Sequence, residues 1–248
     1  MYEECKLCKQ IRELRKSHII PEWGYKNLYD SKHRLLHTSM YEKIVYPGYK
    51  QNGAKEYLLC EECERFLSKT ENYSKHFYTS IKNGDLQRIN NYFWLKKNME
   101  HNKLKRFFLS IFYRMIISKD EMFKYYYLAE NQIEMLRLNI LKENLIPISF
   151  YPIVISKPYI MNKYVDDVLI TQSCNYILHN YSTLWVVFDG LLATLIVSEN
   201  IVDIDILNNS LKEGEFLVHK TNIDDIIDKD FVMKMFMDNK KVRDVYFP

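Results

Sequence analysis

The sequence predicts an α+β protein in three stretches: an N-terminal unit stapled by cysteines over residues 1–82, a helical segment over 83–145, and an antiparallel β-rich part over 146–248. Three observations carry this. Two cysteine pairs, Cys5-Lys6-Leu7-Cys8 and Cys60-Glu61-Glu62-Cys63, bracket the segment Ser17-His18-Ile19-Ile20-Pro21-Glu22. Apolar residues then recur at three- and four-residue spacing. Finally, short Val-, Ile-, Tyr- and Phe-rich runs alternate with turn residues. At 248 residues and 47% hydrophobic, the chain suffices for one large domain or two modest ones with a real core.

In the first stretch, each thiol pair can grip one ion from a tight turn, and two such turns complete the tetrahedral shell that zinc prefers. The pairs therefore assign Cys5, Cys8, Cys60 and Cys63 to a structural zinc; Cys174, in an apolar stretch, reads as a small buried thiol. Met1-Tyr2-Glu3-Glu4 is acidic and no apolar signal core follows it, so free thiols in a cytoplasmic protein are expected rather than disulfides. No apolar run is long enough to span a bilayer, and no membrane partner is expected. Turn signals fall at Pro21, Gly24, Tyr46-Pro47-Gly48 and Asn52-Gly53. Phe66, Leu67, Thr70, Tyr73 and Phe77 have helical spacing, so the second pair should open a helix.

From Leu86 to about Asn144 the pattern reads as helical, with one face at Leu104, Phe107, Phe108, Ile111, Phe112, Met115 and Ile116 and another at Ile133, Leu136, Ile140 and Leu141. Arg106, Arg114 and Arg137 lie among these residues; pairing with a carboxylate or reaching for water explains them without a ligand. Strands are expected over 148–156, 165–171, 176–178, 184–188, 191–197 and 216–219, with turns near Asp189-Gly190 and Glu213-Gly214, and a last helix over 224–239.

Charge is unevenly shared. Residues 1–110 hold 21 Lys and Arg against 13 Asp and Glu, whereas residues 111–248 hold 14 against 19. The basic half carries the cysteine pairs, which suits a phosphate-bearing partner; dispersed solvated cations are the plainer explanation.

A zinc closed by four thiolates builds structure and cannot activate water. The candidate base is His18: the two isoleucines after it anchor the chain and Pro21 ends the strand, which fixes the imidazole in place. An imidazole near neutrality can take a proton from water, as phosphodiester hydrolysis requires. A histidine that merely hydrogen-bonds a carbonyl beside the zinc is the structural alternative.

The order CxxC, then His-Ile-Ile-Pro, then Leu59-Cys60-x-x-Cys63 opening a helix resembles the zinc-knuckle branch of the HNH endonucleases, over roughly the first third of the chain. Phe107-Phe108-Leu109-Ser110-Ile111-Phe112-Tyr113-Arg114 is also similar to a helix that follows such units in bacterial proteins. The resemblance implies a treble-clef or ββα-metal unit with His18 as general base on the attacking water. It also implies Mg or Mn near the helix after the second knuckle, DNA as substrate, and a role in defence against phage or mobile DNA. Glu64 stands where the family usually has Asn or His and can ligate a hard cation; Ser68 lies one turn further.

Other positions depart from the pattern. Ser17 replaces an Asp that often ligates the metal, and Lys55-Glu56-Tyr57-Leu58 stands where the middle Asn is expected. His33, His37, Asn52, Glu71 or His76 are the remaining candidates for missing ligands. Glu64 can equally serve as a first-turn carboxylate on the helix dipole, and Trp23 and Tyr25 can stack on a base or pack beneath the zinc loop. Three functions fit: a DNA-cutting nuclease, a non-catalytic nucleic-acid-binding zinc module, and an interaction scaffold whose C-terminal part meets a protein partner or a second copy.

Overall fold

A computed structural model describes residues 1–37, 48–166, 168–171, 176–178, 180–201 and 203–226. Cys174, Tyr46-Pro47 and nearly all of the expected helix over 224–239 lie outside these residues.

The N-terminal unit starts with β1 (Tyr2–Glu4), which pairs antiparallel with β2 (Ile11–His18) across the turn that holds Cys5 and Cys8. A four-residue helix, α1 (Glu22–Tyr25), follows Pro21, whose fixed φ suits a helix start. Next come β3 (Leu35–His37) and β4 (Gly48–Lys50), which pair with each other, and β5 (Lys55–Cys60), which pairs with β2 from Leu14↔Cys60 to His18↔Lys55. The register slips opposite Arg15 and Lys16, and the neighbours Leu58 and Leu59 are both buried at this bulge. β5 runs directly into α2 (Glu61–Lys82), whose buried residues Cys63, Leu67, Thr70, Ser74, Phe77, Tyr78 and Ile81 follow the expected three- and four-residue spacing. Cysteine turn, antiparallel strands and helix thus follow one another in the N-terminal unit, with the second cysteine pair opening the helix as expected.

The helical reading from Leu86 is corrected at its start. Residues after the Asn83-Gly84 turn form β6 (Gln87–Arg88) and β7 (Phe93–Met99). The Asn90 side chain accepts the backbone N–H groups of Tyr92 (2.8 Å) and Phe93 (3.0 Å), closing a hairpin turn between the two strands. Helix α3 (His101–Ile117) then passes through the middle of the molecule and is buried on most sides, including Leu104, Phe107, Phe108, Ile111, Phe112 and Met115. Helix α4 (Glu130–Leu141) packs on it through Leu136 and Ile140.

The last stretch supplies β8 (Ile153–Ile160), β9 (Lys163–Tyr164), β10 (Ile170–Thr171), β11 (Tyr176–Leu178), β12 (Tyr181–Phe188), β13 (Leu191–Ile196), the short α5 (Ile204–Asn209) and β14 (Gly214–Asn222). Among the described residues, nine strands make one sheet in the order β10-β12-β13-β8-β14-β7-β6, with β11 on β12 and β9 on β8. Every pair is antiparallel except β14 with β8, which is parallel from Val218↔Ile155 to Asn222↔Tyr159.

One apolar cluster runs from Leu7, Ile19, Ile20 and Tyr25 through Phe77, Tyr78 and the length of α3 to Ile155, Phe188 and Val218 on the sheet. The opposite sheet face is filled by Val165, Ile170, Trp185, Val187, Leu192 and Ile223. No helix of the described residues is long and apolar enough to cross a membrane.

Candidate metal centre and histidine site

The turn after β1 and the start of α2 bring the four predicted ligands together. Cys5 Sγ lies 3.6 Å from Cys63 Sγ and Cys8 Sγ lies 3.8 Å from Cys60 Sγ, and all four sulfurs lie within 4.8 Å of one another as free thiols. A regular tetrahedron around zinc with bonds of about 2.3 Å has edges of about 3.8 Å, so this spacing fits a four-thiolate ion. Cys5, Cys60 and Cys63 are buried and Cys8 is partly exposed, which seals the centre on three sides.

Backbone bonds pre-shape the cage. Cys60 N–H donates to Cys5 Sγ (3.3 Å), Lys6 N–H to Leu58 O (2.9 Å) and Lys9 N–H to Cys5 O (2.9 Å), with Lys9 in the left-handed region at φ 62 to close the turn. The Cys5 thiol is pulled down to about 4, chiefly by the hydrogen bond it shares with Cys63, while the same contact pushes the Cys63 thiol up. Crowded sulfurs cannot all shed their protons alone; a cation is what would let them.

Three side chains from the helices hold this unit by its carbonyls. Tyr113 Oη donates to Lys6 O, and Arg137, held bidentately by Glu134 at 2.8 and 2.6 Å, donates to Leu7 O. Arg114, fully buried, donates from Nη1 to His18 O (2.7 Å) and from Nη2 to Glu71 Oε1 (2.6 Å). Sequence reasoning gave these arginines no site; their task is to fix the knuckle and the end of β2. Nothing in a one-dimensional pattern marks a carbonyl on a distant strand as the partner.

His18 ends β2, and Ile19 and Ile20 are fully buried beyond it, as expected of an anchored strand end. Its side chain is 30% exposed, and Nε2 lies 2.7 Å from Glu22 Oε2. The other Glu22 oxygen accepts the Tyr29 hydroxyl (2.9 Å), and that hydroxyl oxygen accepts Gly53 N–H (3.3 Å). Tyr29 stacks on His33, ring centroids 3.8 Å apart. Glu22 and Tyr29 were missed in the sequence, although Glu22 lies four residues after His18; Pro21 between them hides the relation because it interrupts any regular helix.

Glu64 occupies the first turn of α2, half-buried, where its carboxylate accepts the Ser17 hydroxyl. Two of the positions that depart from the HNH pattern are thus in contact with each other. Ser68 turns back to Arg65 O (2.9 Å), Glu71 is taken by Arg114, His76 and Asn52 are exposed, and the His37 side chain lies outside what is described. Among the described residues, the four cysteines are the one group of three or more His, Cys, Asp or Glu side chains placed to share an ion. The expected Mg or Mn cage around Glu64 is not assembled by these residues.

Trp23 and Tyr25 also find their places. Trp23 sits among Tyr78, Phe107 and Phe188 with centroids at 5.0 to 6.0 Å, and Tyr25 is fully buried against Gly53. Tyr25 is thus used up in the core, and the half-buried Trp23 has its ring engaged by α2, α3 and the sheet, so packing accounts for both residues. No protein-family model, curated protein or solved structure matches this chain.

Proposed function

We propose that the chain is a zinc-stapled, HNH-like nuclease that hydrolyses phosphodiester bonds in DNA, with His18 as the base. The observation that carries this reading is the combination of an accessible imidazole ring held by Glu22 and a main chain clamped by buried Arg114. An ionised carboxylate only accepts hydrogen bonds, so Glu22 selects the tautomer with hydrogen on Nε2 and leaves the Nδ1 lone pair to draw a proton from water. Tyr29 and Gly53 in turn hold Glu22, so the ring is oriented through two layers.

In this reading the zinc fixes the knuckle and takes no part in hydrolysis, since four thiolates leave no open position. Glu64 is the carboxylate that the HNH resemblance assigns to a hard cation, but the described residues gather no further ligands around it, so no step of the hydrolysis is routed through such an ion. Ser17 holds that carboxylate toward β2 in the meantime.

A second reading, a zinc module that binds nucleic acid without cutting it, is favoured by one observation: no second group of metal ligands is gathered among the described residues. Plasmid nicking with Mg or Mn separates the two. The nuclease reading expects nicking by the wild type that is lost in His18→Ala and reduced in Glu22→Gln, at equal zinc content and equal thermal stability. Binding with no nicking by any of the three proteins, across both cations, supports the second reading and overturns the first.

A further inference from the structure

A strip of cations and aromatic rings lies on one face of the large sheet, beyond the part that the helices cover. Register places the residues. Arg88 on β6 is opposite Trp94 on β7, Trp94 is opposite Val218 on β14, and Val218 is opposite Ile155 on β8, so all four share a face. Val218 and Ile155 are buried in the main core. Two residues further along the same strands, and so on the same face, Lys220 stands opposite Lys157; beyond them Tyr159 stands opposite Tyr164 of β9.

The side chains confirm this grouping. Lys157 Nζ sits between two rings, 5.8 Å from the Trp94 centroid and 4.8 Å from that of Tyr164, and the rings meet edge-on at 6.1 Å. Lys220 Nζ sits 4.4 Å from the Tyr159 centroid. Arg88, exposed, is splayed by Asn90 O and Asn91 Oδ1. None of these three cations has a carboxylate partner among the described residues, in a chain where Arg12, Arg15, Arg34, Lys82, Lys96, Arg114 and Arg137 all do.

We propose that this strip binds single-stranded nucleic acid and holds the substrate strand of the reaction assigned above. Unneutralised cations on a sheet suit a polyanion, and rings interleaved with them give flat apolar faces on which unpaired bases stack. A duplex hides its base faces and a folded acidic protein has none, so the rings favour a single strand over either. The lysines are held over the rings by weak contacts at the protein surface, so each ammonium can pass to a phosphate and release its ring to a base. The proposal rests on the nuclease reading only for what happens to the bound strand; binding is independent of it.

Fluorescence anisotropy of labelled oligothymidylate with the whole, zinc-loaded protein tests the strip. Lys157→Gln/Lys220→Gln should weaken binding at least about tenfold at low salt and flatten the salt dependence by about 1.4 in log–log slope, from two phosphate contacts at about 0.7 each. Oligothymidylate should also quench tryptophan emission in the wild type but much less in Trp94→Phe, because Trp185 is fully buried and the half-buried Trp23 ring is engaged by Tyr78, Phe107 and Phe188. Affinity and slope unchanged in the double variant, equal affinity for a duplex of the same length, or displacement by polyglutamate as effective as by nucleic acid would each overturn the proposal. His18→Ala should bind as the wild type does. If strip variants lose binding while neither wild type nor His18→Ala cuts, the strip stands and the nuclease reading fails; if cutting persists at full rate in strip variants, the reverse holds.

Discussion

Replacing Arg114 with methionine tests how the helices hold the histidine site. The guanidinium is 2% exposed and Glu71 23% exposed, and the arginine reaches Ser110 O at 3.3 Å, His18 O at 2.7 Å and Glu71 Oε1 at 2.6 Å. Methionine fills most of the volume but donates nothing, leaving a carbonyl and a carboxylate without their donor. Breaking a buried ion pair from one side costs about 3–5 kcal/mol, and because Glu71 can turn partly to water we take the lower end, about 3 kcal/mol. At about 2–4 °C per kcal/mol for a chain of this size, the melting temperature should fall by about 6–12 °C. Replacing both partners removes the stranded charge, so Arg114→Met/Glu71→Leu should be more stable than Arg114→Met alone by about 1–2 kcal/mol. Urea denaturation and scanning calorimetry read both numbers, and the His18 ring resonances report whether the strand end has moved. A melting temperature for Arg114→Met within about 2 °C of wild type, or a double variant whose loss is the sum of the two single losses, would refute this account.

Three further outcomes follow from other parts of the molecule. Cys60→Ser should lower bound zinc from one ion per chain and expose the amides of residues 1–20 and 55–67 to hydrogen exchange, read by mass spectrometry, because binding energy at such a site is folding energy. In Gly53→Ala the new methyl would lie 2.6 Å from Tyr25 Cδ2 and 2.7 Å from Cζ, inside a fully buried ring, so a loss of about 1–3 kcal/mol in urea unfolding is expected. Burial holds the imidazoles of His101 and His219 below their ordinary value, so between that lowered value and about 6.5 the unfolded chain binds more protons. Stability should therefore fall as pH drops from about 7 to 5, by up to about 1.4 kcal/mol per pH unit for each histidine, and His101→Gln, which can still donate to Ile146 O, should flatten that slope.

The four-cysteine cluster was the most legible part of the sequence because two residues between thiols is a spacing that one turn imposes, wherever the pairs sit in the chain. Helix α2 and the core of α3 were readable for a similar reason: Leu67, Phe77, Leu104 and Met115 repeat with the period of the helix itself. β7 was not. Phe93-Trp94-Leu95 is too short an apolar run to separate strand from helix, and what decides it is pairing with β14, far along the chain. The surroundings of His18 were illegible in the same way. Glu22 reaches it around a proline, and Arg114 reaches it across 96 residues, so neither could be found from periodicity. Ser17 and Glu64 were each read as a lapse from the HNH pattern, and only the fold reveals that one hydroxyl answers the other carboxylate.

The central place of β14 governs how the chain can be made. It joins the β6–β7 hairpin to the β8–β13–β12 group, and no other strand among the described residues links the two. While a ribosome is still adding residues, β7 and β8 each present a bare row of amides and carbonyls that, among the described residues, β14 alone covers. His101 N and Glu213 Oε2, bonded in the finished protein, are 112 residues apart, so at about 5–20 residues per second the wait lasts on the order of 6–22 s. Translation that halts before Gly214 leaves a product with two adhesive borders, and that species is the one expected to seed insoluble material when the protein is overproduced.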